Sequence, residues 1–177
     1  MTKNQGLSRN AYALLALCKT RGLKIAAAES CTGGLLTATL TEIPGSSAVV
    51  DRGFVTYSNQ AKHQMLGVPT RTLKQYGAVS RETALAMAEG ALARSSADIT
   101  VAITGIAGPG GGSRQKPVGL VHIAAIARSG MRVHHECRFS DIGRTKVREK
   151  STLEAFAMMR DLIEIEIPKK SRRKPSK

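Results

Sequence analysis

The chain has 177 residues, a length that suits one domain with a substantial core. Apolar residues make up 42% of the sequence and aromatic residues 3%, which argues against a wholly disordered chain and favours an aliphatic core. The formal net charge is +14, and six of the positive charges lie in residues 168–177, so removing them leaves +8. We therefore predict one domain over 1–167 and a basic, disordered tail over 168–177 that attracts nucleic acid only non-specifically.

Hydrophobic spacing and turn residues predict a series of alternating helices and strands. The first half should contain a helix over 12–21, a buried strand over 24–29, a turn over 30–34, a helix over 35–43, one or two strands over 48–58 and a helix over 59–66. The second half should contain a helix over about 80–95, a strand over 98–104, a glycine-rich loop over 105–113, strands over 118–127 and 132–139, and a helix over 145–163. This order predicts an α/β fold, a three-layer α/β/α sandwich, and the late hairpin predicts a mixed, mostly parallel sheet.

The three cysteines, Cys18, Cys31 and Cys137, are odd in number and widely spaced. They suggest neither a disulfide framework nor a zinc site, and reduced thiols in a cytoplasmic protein fit best. His134 and His135 are adjacent and would face opposite sides of a strand, so we expect no metal and no cofactor. The polar N-terminus and the lack of a long apolar run predict a soluble protein without membrane contact.

Two predicted strands end in the turns ESCTGG (29–34) and TGIAGPGGG (104–112). Ligand sites in open α/β sheets gather at the carboxyl ends of strands, and a helix N-terminus after Ser30 would present N–H groups to an anion or oxyanion. Alternatively, ESCTGG is only a strand–helix turn capped by Ser or Thr, and the glycine-rich segment is only a flexible surface loop. The glycine loop fits neither a P-loop nor a dinucleotide fingerprint.

Lys62 follows the strand end TYSN (56–59) on a short predicted helix. Such a lysine is ordinarily exposed, but a buried lysine can lose its proton and serve as the base of a Ser–Lys pair. The SxxK pattern at 113–116 falls in the glycine-rich loop and is best explained by chance. Cys31 is a rival nucleophile, although the role of a small buried thiol suits it better. Glu29 could be a buried acid, a helix N-terminal partner or a substrate ligand.

The motifs ESCTGG, TYSNxxK, GAVS and TGIAGPxGG, in this order, resemble those of the CinA C-terminal domain family. The resemblance extends over roughly residues 8–165. It implies an α/β/α fold and a nicotinamide-nucleotide amidase, which converts nicotinamide mononucleotide to nicotinate mononucleotide and ammonia. It also implies a homodimer.

Carried over by motif, the resemblance makes Ser30 the nucleophile, Lys62 its base and Thr104 a residue that bonds within and orients this pair. N–H groups around residues 31–34 would stabilise the oxyanion, and Tyr57 and Asn59 would contact the nicotinamide ring and ribose. The full set of candidate substrate-binding residues is Glu29, Cys31, Thr32, Gly33, Gly34, Tyr57, Asn59, Gly105, Gly108, Gly110, Gly111 and Arg144.

The chain departs from the family pattern near its end, where a GDRxxVR-like segment is expected and Ile142-Gly-Arg-Thr-Lys-Val-Arg148 stands instead. Gly143 replaces an acid before Arg144, so no ligand role is carried over for that position, although Asp141 is near. Two other functions stay open: a non-catalytic nucleotide-binding or regulatory module linked to competence or DNA damage, and a nucleic-acid-binding protein. The second has no recognisable binding module and few aromatic residues for stacking.

Overall fold

A computed structural model describes residues 5–166 of the chain. The helices are α1 (Gln5–Arg21), α2 (Leu35–Thr41), α3 (Asn59–Leu66), α4 (Thr70–Tyr76), α5 (Arg81–Ala93) and α6 (Arg144–Glu166), with a 3₁₀ turn at Ser46–Ala48. The strands are β1 (Ile25–Glu29), β2 (Val50–Val55), β3 (Ile99–Gly105), β4 (Leu120–Ala127) and β5 (Arg132–Arg138). The alternation of helices and strands confirms the predicted α/β class. The predicted tail at 168–177 lies outside the described residues.

The described strands form a five-stranded sheet in the order β2-β1-β3-β4-β5. β1 pairs in parallel with β2 and β3, whereas β3–β4 and β4–β5 are antiparallel. The sheet is therefore mixed, as predicted, and β4 runs against the other strands. Glu29 at the end of β1 is in register with Val55 and Ile103, so the residues after these three strand ends meet at one edge.

Helices pack on both faces of the sheet because the strand residues alternate between two cores. On β3, Ile99, Val101 and Ile103 face a core shared with α1, α2 and α6. Ala102, from the alternate positions, faces a smaller core with α5. Thr100 points to the same side and donates from its hydroxyl to Ala88 O of α5 at 2.9 Å. Thr104 is two residues further along β3 than Ala102, so its side chain faces the same side of the sheet, where α3 to α5 lie.

The predicted and observed elements differ mainly at α4 and at helix ends. α4 is absent from the prediction because it spans seven residues, starts after Pro69 and buries only Leu73. α1 begins at Gln5 rather than residue 12, since Leu7 and Ala11 extend its buried face. The region predicted as one or two strands over 48–58 contains one strand, β2, after the 3₁₀ turn. α3 has the predicted bounds, with Ser58 accepting a bond from Ala61 N–H and Gly67 ending the helix.

Candidate active site

Ser30 is the first residue after β1, and its side chain lies at the carboxyl edge of the parallel strands. Its N–H donates to Ile103 O at 2.9 Å, which ties the residue to β3. The turn that follows closes with a bond from Gly33 N–H to Ser30 O, and Gly33 and Gly34 have φ values of 58° and 93°. These left-handed conformations favour glycine, so the two glycines let the chain turn sharply from β1 into α2.

Glu29 is fully buried and binds the start of α2 rather than facing the cleft. Its carboxylate accepts from the N–H groups of Gly34, Leu36 and Thr37, and from the Thr37 hydroxyl, at 2.7–3.1 Å. A negative charge at this end of a helix satisfies free N–H groups and complements the helix dipole. Of the three roles left open by the sequence, the structure therefore places Glu29 as the N-terminal partner of α2.

Lys62 of α3 meets Ser30 across the end of the sheet. Lys62 Nζ donates to Ser30 Oγ at 2.9 Å and to Thr56 O at 2.9 Å. Its side chain is only 1% exposed, whereas a lysine on a short helix is ordinarily in solvent. The serine and the lysine are thus held together as a buried pair.

Burial controls the protonation of both reactive candidates next to Ser30. Burial lowers the pKa of Lys62 to about 8, because desolvation disfavours the ammonium form. Burial also raises the pKa of the Cys31 thiol to about 12, so Cys31 stays a neutral thiol at physiological pH. The arrangement favours Ser30 over Cys31 as the nucleophile, because only Ser30 contacts a group that can take its proton.

Thr104 lies on the same edge, near the end of β3, and is almost fully buried. Its hydroxyl donates to Ala78 O at 2.7 Å, not to Ser30 or Lys62. The Thr104 hydroxyl therefore does not donate to either member of the Ser30–Lys62 pair, contrary to the expectation from the motif. The residue instead links the strand end to the segment between α4 and α5.

An open cleft of about 250 Å³ lies over the Ser30–Lys62 pair. Its lining includes ten of the predicted site residues: Ser30, Cys31, Tyr57, Lys62, Thr104, Gly105, Gly108, Gly110, Gly111 and Arg144. It also includes Ala78, Val79, Ile106 and Ala107, which lie in the GAVS and TGIAGPxGG motifs but were assigned no role. The strand-end turns and the glycine loop thus converge on one site.

Arg144, at the start of α6, closes one side of the cleft. Its guanidinium donates to Gly108 O and to the Tyr57 hydroxyl, each at 2.9 Å. Tyr57 itself is 61% exposed, so its ring remains accessible beside the cleft. Arg144 therefore joins the glycine loop to the segment after β2 and places a positive charge at the rim.

Several predicted site residues do not line the cleft. Glu29, Thr32, Gly33 and Gly34 belong to the turn beneath it, and Asn59 is exposed on the first turn of α3. In the turn, the N–H groups of Gly33 and Gly34 donate to Ser30 O and Glu29. The expected oxyanion donors are thereby reduced to Cys31 and Thr32, whose N–H groups donate to no backbone carbonyl or carboxylate within the described residues.

Arg148 is a residue near the site to which the sequence assigned no role. Its guanidinium donates to Thr32 O at 2.6 and 3.1 Å, which holds the turn after Ser30 from the side of α6. Arg144 and Arg148 are one helical turn apart and so share a face of α6. The spacing of four residues in the sequence could have indicated that Arg148 lies on the same face as Arg144. The sequence did not show which segment that face contacts.

The fold and the cleft define an α/β protein with a buried serine–lysine pair at the carboxyl edge of its parallel strands. The chain belongs to the CinA C-terminal domain family, whose model matches residues 8–163. None of the helices within residues 5–166 is long and apolar enough to cross a membrane. No group of three or more His, Cys, Asp or Glu side chains in that range is arranged to hold a metal ion.

The chain is similar to proteins with two kinds of name. It is 50% identical over 125 residues to the nicotinamide-nucleotide amidohydrolase PncC of Enterobacter agglomerans, which covers 71% of this chain and 76% of that protein. It is also 50% identical over 149 residues to the CinA-like protein of Chloroherpeton thalassium, covering 83% of this chain. The chain spans only 36% of the length of the latter, and the same share of a competence-damage inducible protein of Caldicellulosiruptor bescii.

Solved structures share the fold closely. The competence/damage inducible protein CihA from Agrobacterium tumefaciens superposes with a TM-score of 0.89 at 56% identity, covering 92% of this chain and 98% of that one. A CinA superfamily protein from Escherichia coli superposes with a TM-score of 0.84 at 32% identity, covering 92% and 93%. The similarity therefore extends over nearly the whole described body.

Proposed function

We propose that this chain hydrolyses the carboxamide of nicotinamide mononucleotide, giving nicotinate mononucleotide and ammonia. The observation that carries the proposal is the 2.9 Å contact between Lys62 Nζ and Ser30 Oγ at the base of a cleft. The name of the PncC relative, at 50% identity, supports this substrate.

The pair supplies a route through an acyl-enzyme. Neutral Lys62 takes the hydroxyl proton of Ser30 while Oγ bonds to the amide carbon, and the carbonyl oxygen becomes an oxyanion. The N–H group of Cys31, which lines the cleft, is the backbone donor best placed to stabilise that charge. As the C–N bond breaks, Lys62 returns the proton to the leaving nitrogen, and ammonia departs.

Water completes the cycle from the same position. Lys62, neutral again, takes a proton from a water molecule that attacks the Ser30 ester. The second tetrahedral intermediate collapses, the ester C–O bond breaks, and the proton on Lys62 passes to Ser30 Oγ. The free serine is thereby restored, and the product acid loses its own proton to solvent, so nicotinate mononucleotide leaves as a carboxylate.

The charges around the cleft suit a nucleotide with this ring. The ionisable lining residues other than Cys31 and Tyr57 are Lys62 and Arg144, and no carboxylate lines the cleft within the described residues. Arg144 and the backbone of the Gly108–Gly111 segment are the groups suited to the phosphate. The exposed ring of Tyr57 suits the positively charged pyridinium, which aromatic faces attract.

The test is ammonia release from nicotinamide mononucleotide by the purified chain and by Ser30→Ala and Lys62→Met. We expect turnover by the unaltered chain and a loss of at least about 10³-fold in kcat for each variant. Ser47→Ala and Lys74→Met, at exposed positions away from the cleft, are matched controls that should retain full activity. Nucleotide binding without ammonia release by the folded, unaltered chain would instead favour a non-catalytic binding module.

A further inference from the structure

The segment 76–79, from the last residue of α4 into the connection to α5, forms one wall of the cleft through Ala78 and Val79. Each of its four successive carbonyl groups accepts a bond from a side chain. Tyr76 O and Val79 O accept from Lys116, and Ala78 O accepts from Thr104. Gly77 O accepts from the hydroxyls of Ser80 and Thr83. The wall is therefore held by donors from outside its own backbone.

Lys116 spans this wall from end to end. Its Nζ donates to Tyr76 O and Val79 O, at 2.7 Å in both cases. An ammonium with two short carbonyl contacts makes charge-assisted hydrogen bonds, which are stronger than neutral ones. Because its two acceptors flank Gly77 and Ala78, Lys116 fixes both ends of the stretch that carries the Thr104 contact.

The backbone of Lys116 is bonded to the end of the glycine-rich loop. Ser113 N–H donates to Lys116 O at 2.8 Å, and Lys116 N–H donates to Ser113 Oγ at 3.0 Å. Gly108, Gly110 and Gly111 of that loop line the same cleft as Ala78 and Val79. Lys116 thus joins the 76–79 wall to the end of a loop that lines the same cleft.

We propose that Lys116 is a positioning residue that sets the width of the cleft by locking the 76–79 wall to the glycine-rich loop. It does not line the cleft and touches no reacting atom, so it acts through Ala78 and Val79. This role rests on the proposed amidase function for its kinetic consequence. The mechanical part, a wall immobilised by Lys116, stands independently of the substrate.

The first measurement is hydrogen exchange of the backbone amides around 76–80, compared among the unaltered chain, Lys116→Met, Lys116→Arg and Lys74→Met. Lys74→Met removes the same charge from exposed α4, two residues before the wall, and is the matched control. We expect exchange in this segment to become at least about tenfold faster in Lys116→Met and to be unchanged in Lys74→Met. Unchanged exchange in Lys116→Met would overturn the proposal whether or not the chain is an amidase.

The second measurement is the split between KM and kcat for nicotinamide mononucleotide. A displaced wall weakens substrate contacts in ground and transition states alike, so Lys116→Met should raise KM about tenfold and change kcat by less than about threefold. Lys116→Arg keeps a cation that can donate to two carbonyls, so its KM should lie between those of Lys116→Met and the unaltered chain. A simple loss of folded protein would lower the apparent kcat at constant KM, and that result would contradict a positioning role.

The two measurements separate failure of this inference from failure of the proposed function. If the unaltered chain releases no ammonia, the amidase proposal fails, and the exchange experiment alone decides the role of Lys116. If ammonia is released and Lys116→Met speeds exchange with KM unchanged, the wall is held by Lys116 but does not position the substrate. That outcome overturns the inference and leaves the amidase proposal intact.

Discussion

At the scale of single residues, the protonation of Lys62 limits the chemistry. Only a neutral amine can accept the Ser30 proton, and burial makes neutrality accessible by lowering the pKa to about 8. At pH 7 about a tenth of the molecules would carry a neutral Lys62 with such a pKa. Thr56 O, at 2.9 Å, can accept from either protonation state of Lys62 Nζ, so this bond holds the side chain in place throughout.

We predict that kcat/KM for nicotinamide mononucleotide rises with pH and levels off above an inflection near pH 8. The sign follows because protonation of Lys62 removes the base, so well below the inflection each pH unit lowers kcat/KM about tenfold. The profile between pH 7 and 9.5 tests this expectation. Lys62→Arg, which stays charged throughout, should be inactive across the range. A flat profile for the unaltered chain would contradict Lys62 as the base.

The residues of the pair could be anticipated from sequence, but their surroundings could not. Ser30 and Lys62 stand in motifs whose order identified them, although 32 positions separate the two. The Thr104 hydroxyl donates to Ala78 O, and Lys116 and Arg148 bind carbonyls 37 to 116 positions away. Contacts of a side chain to a distant backbone carbonyl leave no pattern in the sequence, since any residue can supply the carbonyl.

At the scale of elements, the β1–α2 unit places Ser30, the proposed nucleophile. α2 has only seven residues, so its own hydrogen bonds give it little independent stability. The Glu29 carboxylate compensates by accepting hydrogen bonds from three N–H groups at the start of α2 and from the Thr37 hydroxyl. Because Ser30 follows Glu29 directly, the same contacts fix where Ser30 leaves the strand.

We predict that Glu29→Gln destabilises the protein by about 1.5–3 kcal/mol, since buried hydrogen bonds to a charged acceptor are lost and an amide NH₂ faces N–H donors. The free energy of unfolding in urea measures the effect. Glu42→Gln is the matched control, because it removes the same charge from the exposed, opposite end of α2. It should leave stability unchanged or slightly raised, as the helix dipole disfavours a negative charge there. Equal stability of the two variants would show that Glu29 does not anchor α2.

The elements themselves were largely predictable because their cores follow simple periods. β3 and β4 are mostly apolar and buried along nearly their whole length, and Ser58 and Ser80 cap the first turns of α3 and α5. α4 was missed since one buried leucine in seven residues gives no periodic signal. The parallel register that aligns Glu29 with Val55 and Ile103 is a long-range property, so the convergence of the strand ends was inferred only from the fold class.

At the scale of the whole molecule, the charge is unevenly divided along the sequence. Of the net charge of +14, six positive charges lie in residues 168–177, beyond the described body. The candidate site lies entirely between Ser30 and Arg144. Charge-driven attraction to nucleic acid and chemistry in the cleft are therefore expected to be separable.

We predict that removing residues 168–177 lowers the affinity for double-stranded DNA about tenfold or more at 50 mM salt and leaves ammonia release unchanged. Each basic side chain that neutralises a phosphate releases a counterion, so loss of six charges should also flatten the dependence of affinity on salt. Titration of a fluorescent duplex at 50 and 200 mM salt measures both quantities. A chain with the six basic residues replaced by glutamine keeps the length and should behave like the truncated one. Undiminished, salt-dependent binding by both would place the DNA contact on the body instead, where the net charge is still +8.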